Sequence, residues 1–393
     1  SFLRLVMAWL LLNDVPKLLD HAGWYFHTGG DQSLYFGLAQ SIAAGTPAAA
    51  PPTAGGAGLP LLMAALLRLT GGTTYDDVLP YLVILNGFVL GSSSIWVIGQ
   101  LAYLFTGSRI QGLLTAAALL VSPYLLWLAF LLHPQADVLQ APHVPRQMWM
   151  NGLTDSPSLF LVMFGALLMM YGANSARGTR PWILCLAGAW FGLSASIRIH
   201  TLPMSAVALA ALAWRRQWRD LAFVSAGFLA GLLPQLIYNA VTTNSAVSIP
   251  YAGAWLNVPA SDAQAGGFAV HFDYKGTPFA PQFLFYNLYV IIARRRLLGV
   301  ALEVVVFLCA LYAFIKCWKL RDSLSAMVMF GMPAASFMLH VSTYIYADDP
   351  VRFTIPALTI GVPAIIYTFF ITAAGLQSRI KFFRYGRVML NGE

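Results

Sequence analysis

Charge is what this sequence lacks most. Only 10% of its residues are Asp, Glu, Lys or Arg, where a soluble domain carries about 25%. So few polar groups cannot coat a surface in water, which excludes an ordinary soluble domain. Acids are the scarcer sign, 15 against 23 Lys and Arg. Only three cysteines occur, Cys185, Cys309 and Cys317, in or at the ends of apolar stretches and without metal-ligand spacing; they read as packing residues. His133, His143, His271 and His340 show no His-x-x-x-His spacing, which speaks against zinc. The short alternating segments of a closed barrel are absent. So are internal repeats and the Gly loop that grips the phosphates of a soluble nucleotide.

What is there is hydrocarbon. The chain is 59% hydrophobic, with a mean hydropathy of +0.69. Runs such as Tyr81–Phe105, Ile110–Leu132, Ser323–Tyr346 and Phe353–Ala374 are nearly free of charge. Their length, roughly 17–25 residues, is what a helix needs to cross ~30 Å of lipid. The expected fold is an all-α integral membrane protein with about ten transmembrane helices, a single polytopic domain over residues 1–393. The net charge of +8 then reads as basic residues kept on the cytoplasmic face, not as a nucleic-acid footprint.

Parity gives the orientation. The apolar stretch before Asn13 is short for a span, as if cut short or lacking its beginning; no small-residue cleavage site follows, so it is not a signal peptide. Running it from inside to outside makes residues 13–80 the first extracytoplasmic loop, with Gly58–Leu69 as an interfacial helix too short to cross. The later spans are Tyr81–Phe105, Ile110–Leu132, Pro157–Ala173, Trp182–Ile199, Leu202–Trp214, Leu221–Tyr238, Leu297–Ile315, Ser323–Tyr346 and Phe353–Ala374. On this path 14 of the 23 basic residues fall inside, including the basic tail 376–393, and 11 of the 15 acids fall outside. The outer side holds three long segments, 13–80, 133–156 and 239–296, and nearly all the polar chemistry. The intramembrane acid Glu303 either has a polar partner in the bundle or faces the outer interface.

Asp31 follows two glycines and precedes a short amphipathic helix, Ser33–Ala44, then a Pro/Gly-rich loop and the interfacial helix. By itself it could be only a helix N-cap. Asp155 stands at the outer mouth of a span, where Ser156 and Pro157 allow the same reading. Arg198 and His200 sit at an outer turn between spans. The triplet Arg294, Arg295, Arg296 lies outside, against the charge trend. Three adjacent guanidiniums call for a negative partner, either ordinary anionic headgroups or the phosphate of a lipid-linked donor. Asp348 and Asp349 precede Arg352 and either pair with it or hold a cation.

The order of these features resembles the polytopic GT-C glycosyltransferases, closest to the branch of protein O-mannosyltransferases and the aminoarabinose transferase of lipid A. Asp31, Tyr35, Ala39, Gly45, Pro51, Pro52 and Pro60 fit that family's first periplasmic loop. The segments GLTDSPSLFLVMFGALLMMY, GLSASIRIHTLP, LLPQLIYNAVTTNSAVSIPY and YADDPVRFTIPALTIGVPAI are similar to its later landmarks. The resemblance implies inverting transfer of a sugar from a polyprenyl-phosphate donor to a glycan, lipid or protein acceptor. It implies an extracytoplasmic active site in a bacterial inner membrane. Asp31 would be the catalytic base, with Asp155 the second acid. Arg352 would meet the donor phosphate, with Arg198 or the Arg294–Arg296 group beside it. Tyr35, His200, Asp348 and Asp349 are further candidates. Gln32 stands where many members of that family carry a second acid, a departure that speaks against a metal held by this pair; a divalent cation stays an open alternative for the site as a whole. Two other classes remain: a catalytically silent GT-C-like subunit of a membrane complex, and a lipid or solute transporter.

Overall fold

A computed structural model describes residues 30–46, 56–131, 155–173, 180–243, 246, 308–316, 323–343, 362–363 and 365–373. Every regular element among them is helical, and no strand occurs among them. Helices α1 (Gly30–Ala43) and α2 (Gly58–Thr70) precede the long α3 (Tyr75–Thr106), whose stretch Val83–Leu90 is π-helical. Then come α4 (Arg109–Leu131), α5 (Asp155–Ala173), α6 (Pro181–Ile197), α7 (Leu202–Trp214) and α8 (Trp218–Thr243). Residues 323–343 form α9, π-helical over Met327–Gly331. Residues 308–316 and 365–373 are also helical.

Local chemistry sets these boundaries. α2 stops at Gly71, in the left-handed region at φ 67°. That conformation ends a helix without a Cβ clash. α3 opens with a capping box: Asp77 Oδ2 accepts from the Thr74 backbone N–H, the Thr74 hydroxyl and the Thr73 N–H, each at 2.8 Å. The helix therefore begins at Tyr75, well before Tyr81, and runs through Pro80, which removes one ladder bond just ahead of the π stretch. Gly107 closes α3, its N–H donating to Tyr103 O at 2.7 Å. Pro181 starts α6, where a missing N–H costs nothing. α8 extends beyond both ends of the expected Leu221–Tyr238. Asp31 and Asp155 lie in the first described turns of α1 and α5, and the residues that would show where those helices begin lie outside the described ones. A carboxylate in a first turn still complements the positive end of the helix dipole.

Glycines bring the central helices into backbone contact. α6 and α8 run parallel with α7 returning between them. On α6, a Cβ on Gly188 would meet the Val224 carbonyl and come 2.7 Å from Phe228 N; one on Gly192 would meet Phe228 O and come 2.7 Å from Leu232 N. On α8, Gly227 and Gly231 answer with the same closeness to Cys185 O and Ala189 O. Each helix thus carries a Gly-x-x-x-Gly pair pressed into the other's main chain. Gly99 of α3 and Gly112 of α4 repeat the device, a Cβ on Gly112 coming 2.8 Å from Gly99 O. Such seams let dispersion and close packing hold helices where water supplies no drive.

The contacts sort the helix termini into two ends. At the first, α5, α6, α7 and α8 meet through Ser158, Ser194, Thr201 and Gln235. At the second, Tyr171 of α5 donates to Gln100 of α3 at 3.3 Å. There too a Cβ on Gly172 would crowd Leu184 of α6. Two helices, Tyr75–Thr106 and Trp218–Thr242, are long and apolar enough to cross a membrane by length and composition; the apolar stretches Gly58–Thr70, Arg109–Val121, Pro157–Ala173, Pro181–Ile197, Leu202–Trp214 and Ser323–Ser336 are shorter.

Candidate functional site

The first end of the bundle gathers buried polar groups. Ser158, Ser194, Ser196, Gln235 and Asn239 are all less than 8% exposed, and Arg198 is 9% exposed. Buried polar side chains are kept only where hydrogen bonds replace water, and most of these bonds can be named.

The chain segment entering α2 is threaded into this end. Gly56 N–H donates to Ile197 O at 3.1 Å, and Ala57 N–H donates to Gln235 Oε1 at 2.6 Å. Gln235 Nε2 in turn donates to Asn239 Oδ1 at 2.7 Å, and Asn239 Nδ2 to Ala246 O at 3.1 Å. A Cβ on Gly56 would meet Ser196 O and stand 3.1 Å from Gln235 Oε1, so only glycine passes between α6 and α8 here. One amide pair, four residues apart on one face of α8, thus holds the end of the Pro/Gly-rich loop against the bundle.

Arg198 closes α6 in an extended conformation, φ −148° and ψ 108°. Its carbonyl accepts from both the backbone N–H and the hydroxyl of Thr201, each at 3.0 Å. Ser194 Oγ lies 2.9 Å from Thr201 Oγ1 and donates to Ser158 O at 2.7 Å. Ser158 stands one turn into the helix that Asp155 opens. The start of α5 and the Arg198 turn are therefore neighbours.

Asp31 belongs to the pair α1–α2. Arg68, in the last turn of α2, donates to Ala43 O at 3.2 Å and to Ile42 O at 3.0 Å. The two helices finish together and pack against each other. The first turn of α2, with Gly58, lies at the Arg198 end. There a Cβ on Gly58 would come 2.9 Å from Ser196 Oγ and Ile197 N. Gln32 accepts from the Tyr75 hydroxyl at 2.9 Å, and Phe36 meets the Tyr75 ring edge-on at 5.4 Å. The Gln32 amide is thus a fully buried anchor between α1 and α3. Tyr35 is 3% exposed and part of the core.

His200 lies in the 3₁₀ turn Ile199–Thr201. Arg294, Arg295, Arg296, Asp348, Asp349, Arg352 and Glu303 lie outside the described residues. No three of His, Cys, Asp and Glu come together among the described residues in a way that could hold a cation. Sequence reasoning missed Gln235 and Asn239. Their signal was present: two amides four residues apart in an otherwise apolar helix face the same neighbour and can bond to each other.

Asp76 and Asp77 are both exposed, ahead of the apolar run of α3, and Asp77 carries the cap. The backbone N–H of Thr74 first, then its hydroxyl and the Thr73 N–H, hold this carboxyl below the usual carboxylate range. No family model, no curated protein and no solved structure matches the chain.

Proposed function

We propose that this chain is an integral membrane glycosyltransferase of GT-C type, with about ten spans, moving a sugar from a polyprenyl-phosphate donor to an acceptor on the extracytoplasmic face. The membrane part is supported by α8. Only 17% of its apolar window is buried. Leu229, Leu233, Ile237 and Val241, four residues apart, form an outward ridge each at least half exposed. Such a ridge suits lipid and would be a liability in water. The glycine seams support the same reading, since lipid-embedded helices associate by backbone approach.

The transferase part rests on one observation: the buried polar end. The helix that Asp155 opens, the Arg198 turn and the start of α2 meet there, and the proposed reaction adds Asp31 to them. These come from segments far apart in sequence that the parity argument puts on the extracytoplasmic side. In the proposed reaction Asp31 takes the proton of an acceptor hydroxyl or amine as that atom attacks the anomeric carbon. The bond to the lipid phosphate breaks, and the configuration inverts. Arg198 and Arg352, with the Arg294–Arg296 group, offset the charge growing on the leaving phosphate in a low-dielectric site. The donor carries its own activation, so no nucleotide is consumed.

A transporter would be expected to break helices at mid-membrane. Among the described residues the π-helical stretches of α3 and α9 widen the helix without interrupting it. The deciding assay is sugar transfer from polyprenyl-phosphate donors by purified protein in proteoliposomes. Wild type is expected to transfer with inversion and Asp31→Asn to lose transfer while inserting and melting normally. Full activity in Asp31→Asn rejects the assignment of the base; a wild type inert with every donor points to a silent subunit.

A further inference from the structure

The second end of the bundle has a different surface, and the reading above gives it no task. α6 and α8 are parallel, so both begin here. Their glycine register, followed back to the helix starts, sets Arg180 level with Arg219. Arg180, Arg216 and Arg219 are exposed and Arg215 is half-buried beside them. Three tryptophans ring the same place: Trp182, Trp214 and Trp218, exposed by 66%, 65% and 63%. The one acid at this end among the described residues, Asp220, is buried at 3% exposure beneath them. Arg219 lies over the Phe223 ring at 5.7 Å, which keeps it close to the helix surface. Arg216 occupies the turn between α7 and α8 with φ 58°, a conformation that glycine or asparagine holds at less strain. The turn places a guanidinium where a smaller residue would suit the backbone better.

We propose that this end is a binding site for the phosphate headgroup of an anionic membrane phospholipid. Among the described residues four arginines against one buried carboxylate leave a net positive cluster, and the parallel helix starts add their positive dipole ends to it. Guanidinium groups pair with phosphate through two parallel hydrogen bonds. Exposed tryptophans set the cluster at headgroup depth, where indole rings favour the water–lipid boundary. That selects a lipid over a free phosphate: the cluster is edged by surface that has to sit in the bilayer. The inference rests on the membrane reading and is independent of the transfer chemistry.

The test uses full-length protein in nanodiscs of phosphatidylcholine, with and without phosphatidylglycerol, read by thermal melting and by native mass spectrometry of retained lipid. Wild type should melt higher with phosphatidylglycerol and retain it in preference to phosphatidylcholine; added inorganic phosphate should give no shift. Arg216→Gly removes one charge and relaxes the turn. It should melt no lower than wild type in phosphatidylcholine yet bind phosphatidylglycerol roughly fivefold more weakly, the factor equivalent to about 1 kcal/mol per basic residue. Arg180→Gln with Arg219→Gln should deepen the loss, and the matching lysine variants should restore most of it. Equal retention of both lipids by wild type, or unchanged preference in the arginine variants, overturns the proposal. A shift with inorganic phosphate alone also overturns it, in favour of a free-anion site. A chain that stays soluble without lipid or detergent would instead sink the membrane reading beneath it.

Discussion

At one end of the bundle Ser158, Ser194, Arg198, Gln235 and Asn239 are buried, and Ser194, Gln235 and Asn239 make their side-chain hydrogen bonds within the protein. At the other, Arg180, Arg216, Arg219 and three tryptophans are turned outward. Both ends are built on the same helices, α5 to α8, so helix propensity and hydrophobicity cannot account for the difference. What differs is whether water has been replaced. The inward end satisfies its polar atoms within the protein, which fixes geometry and suits a reaction. The outward end leaves charge and indole at the boundary, which suits anchoring. Chemistry that depends on preorganised dipoles belongs at the first end, and contact with headgroups belongs at the second.

The contrast depends on α6 and α8 holding their register, so the largest effect is expected there. Gly192→Leu forces a side chain into the Phe228–Leu232 backbone and should destabilise by about 3 kcal/mol or more, the upper part of the overpacking range. A melt in detergent or nanodiscs checks this. Gly37→Ala is the matched control, because a Cβ on Gly37 meets nothing within 4 Å. It should be neutral or stabilise by up to ~1 kcal/mol through helix propensity. Equal melts for both variants would remove the seam from the account.

Next in size is damage to the inward end alone. Gln235→Leu leaves the Ala57 N–H without its acceptor and Asn239 Oδ1 without its donor. It should cost about 1–3 kcal/mol, the penalty of an unpaired buried group. It should also lower sugar transfer while leaving lipid preference at the other end intact. Parallel loss of both readouts would mean the two ends are not separable.

The smallest effect sharpens the picture at α3. Asp77 has its folded pKa depressed, so its capping contribution is present above the unfolded carboxylate value and disappears as pH falls through the folded one. Wild type should therefore lose melting temperature across the acid range in excess of Asp77→Asn, with the two curves converging at the lowest pH. Curves that run parallel throughout would show that the cap contributes nothing.

Much of this was legible in the sequence, and the reasons are specific. Leu202–Trp214 was read with its exact limits, because Pro203 marks one end and Arg215 the other. Parity put Asp155 and Arg198 on one face, and the contact of Ser158 with Ser194 that joins their helices needed the structure. Less legible was the start of α3, six residues ahead of its apolar run. Asp76, Asp77 and Pro80 make those residues look like loop, and only the Thr74–Asp77 cap shows otherwise. The seams at Gly188, Gly192, Gly227 and Gly231 were missed. A glycine's role in packing is set by the backbone it meets, and that partner lies on another helix. Gln32 was read as a lost acid; its role as an anchor needed Tyr75, 43 residues away.

The account's central claim is that the two ends face opposite sides of a bilayer. Single cysteines at Ala246→Cys, beside the inward end, and Arg216→Cys, in the outward turn, can test it in a chain freed of Cys185, Cys309 and Cys317. A membrane-impermeant maleimide applied to intact cells should label position 246 at once and position 216 only after permeabilisation. Labelling of both from the same side would contradict it.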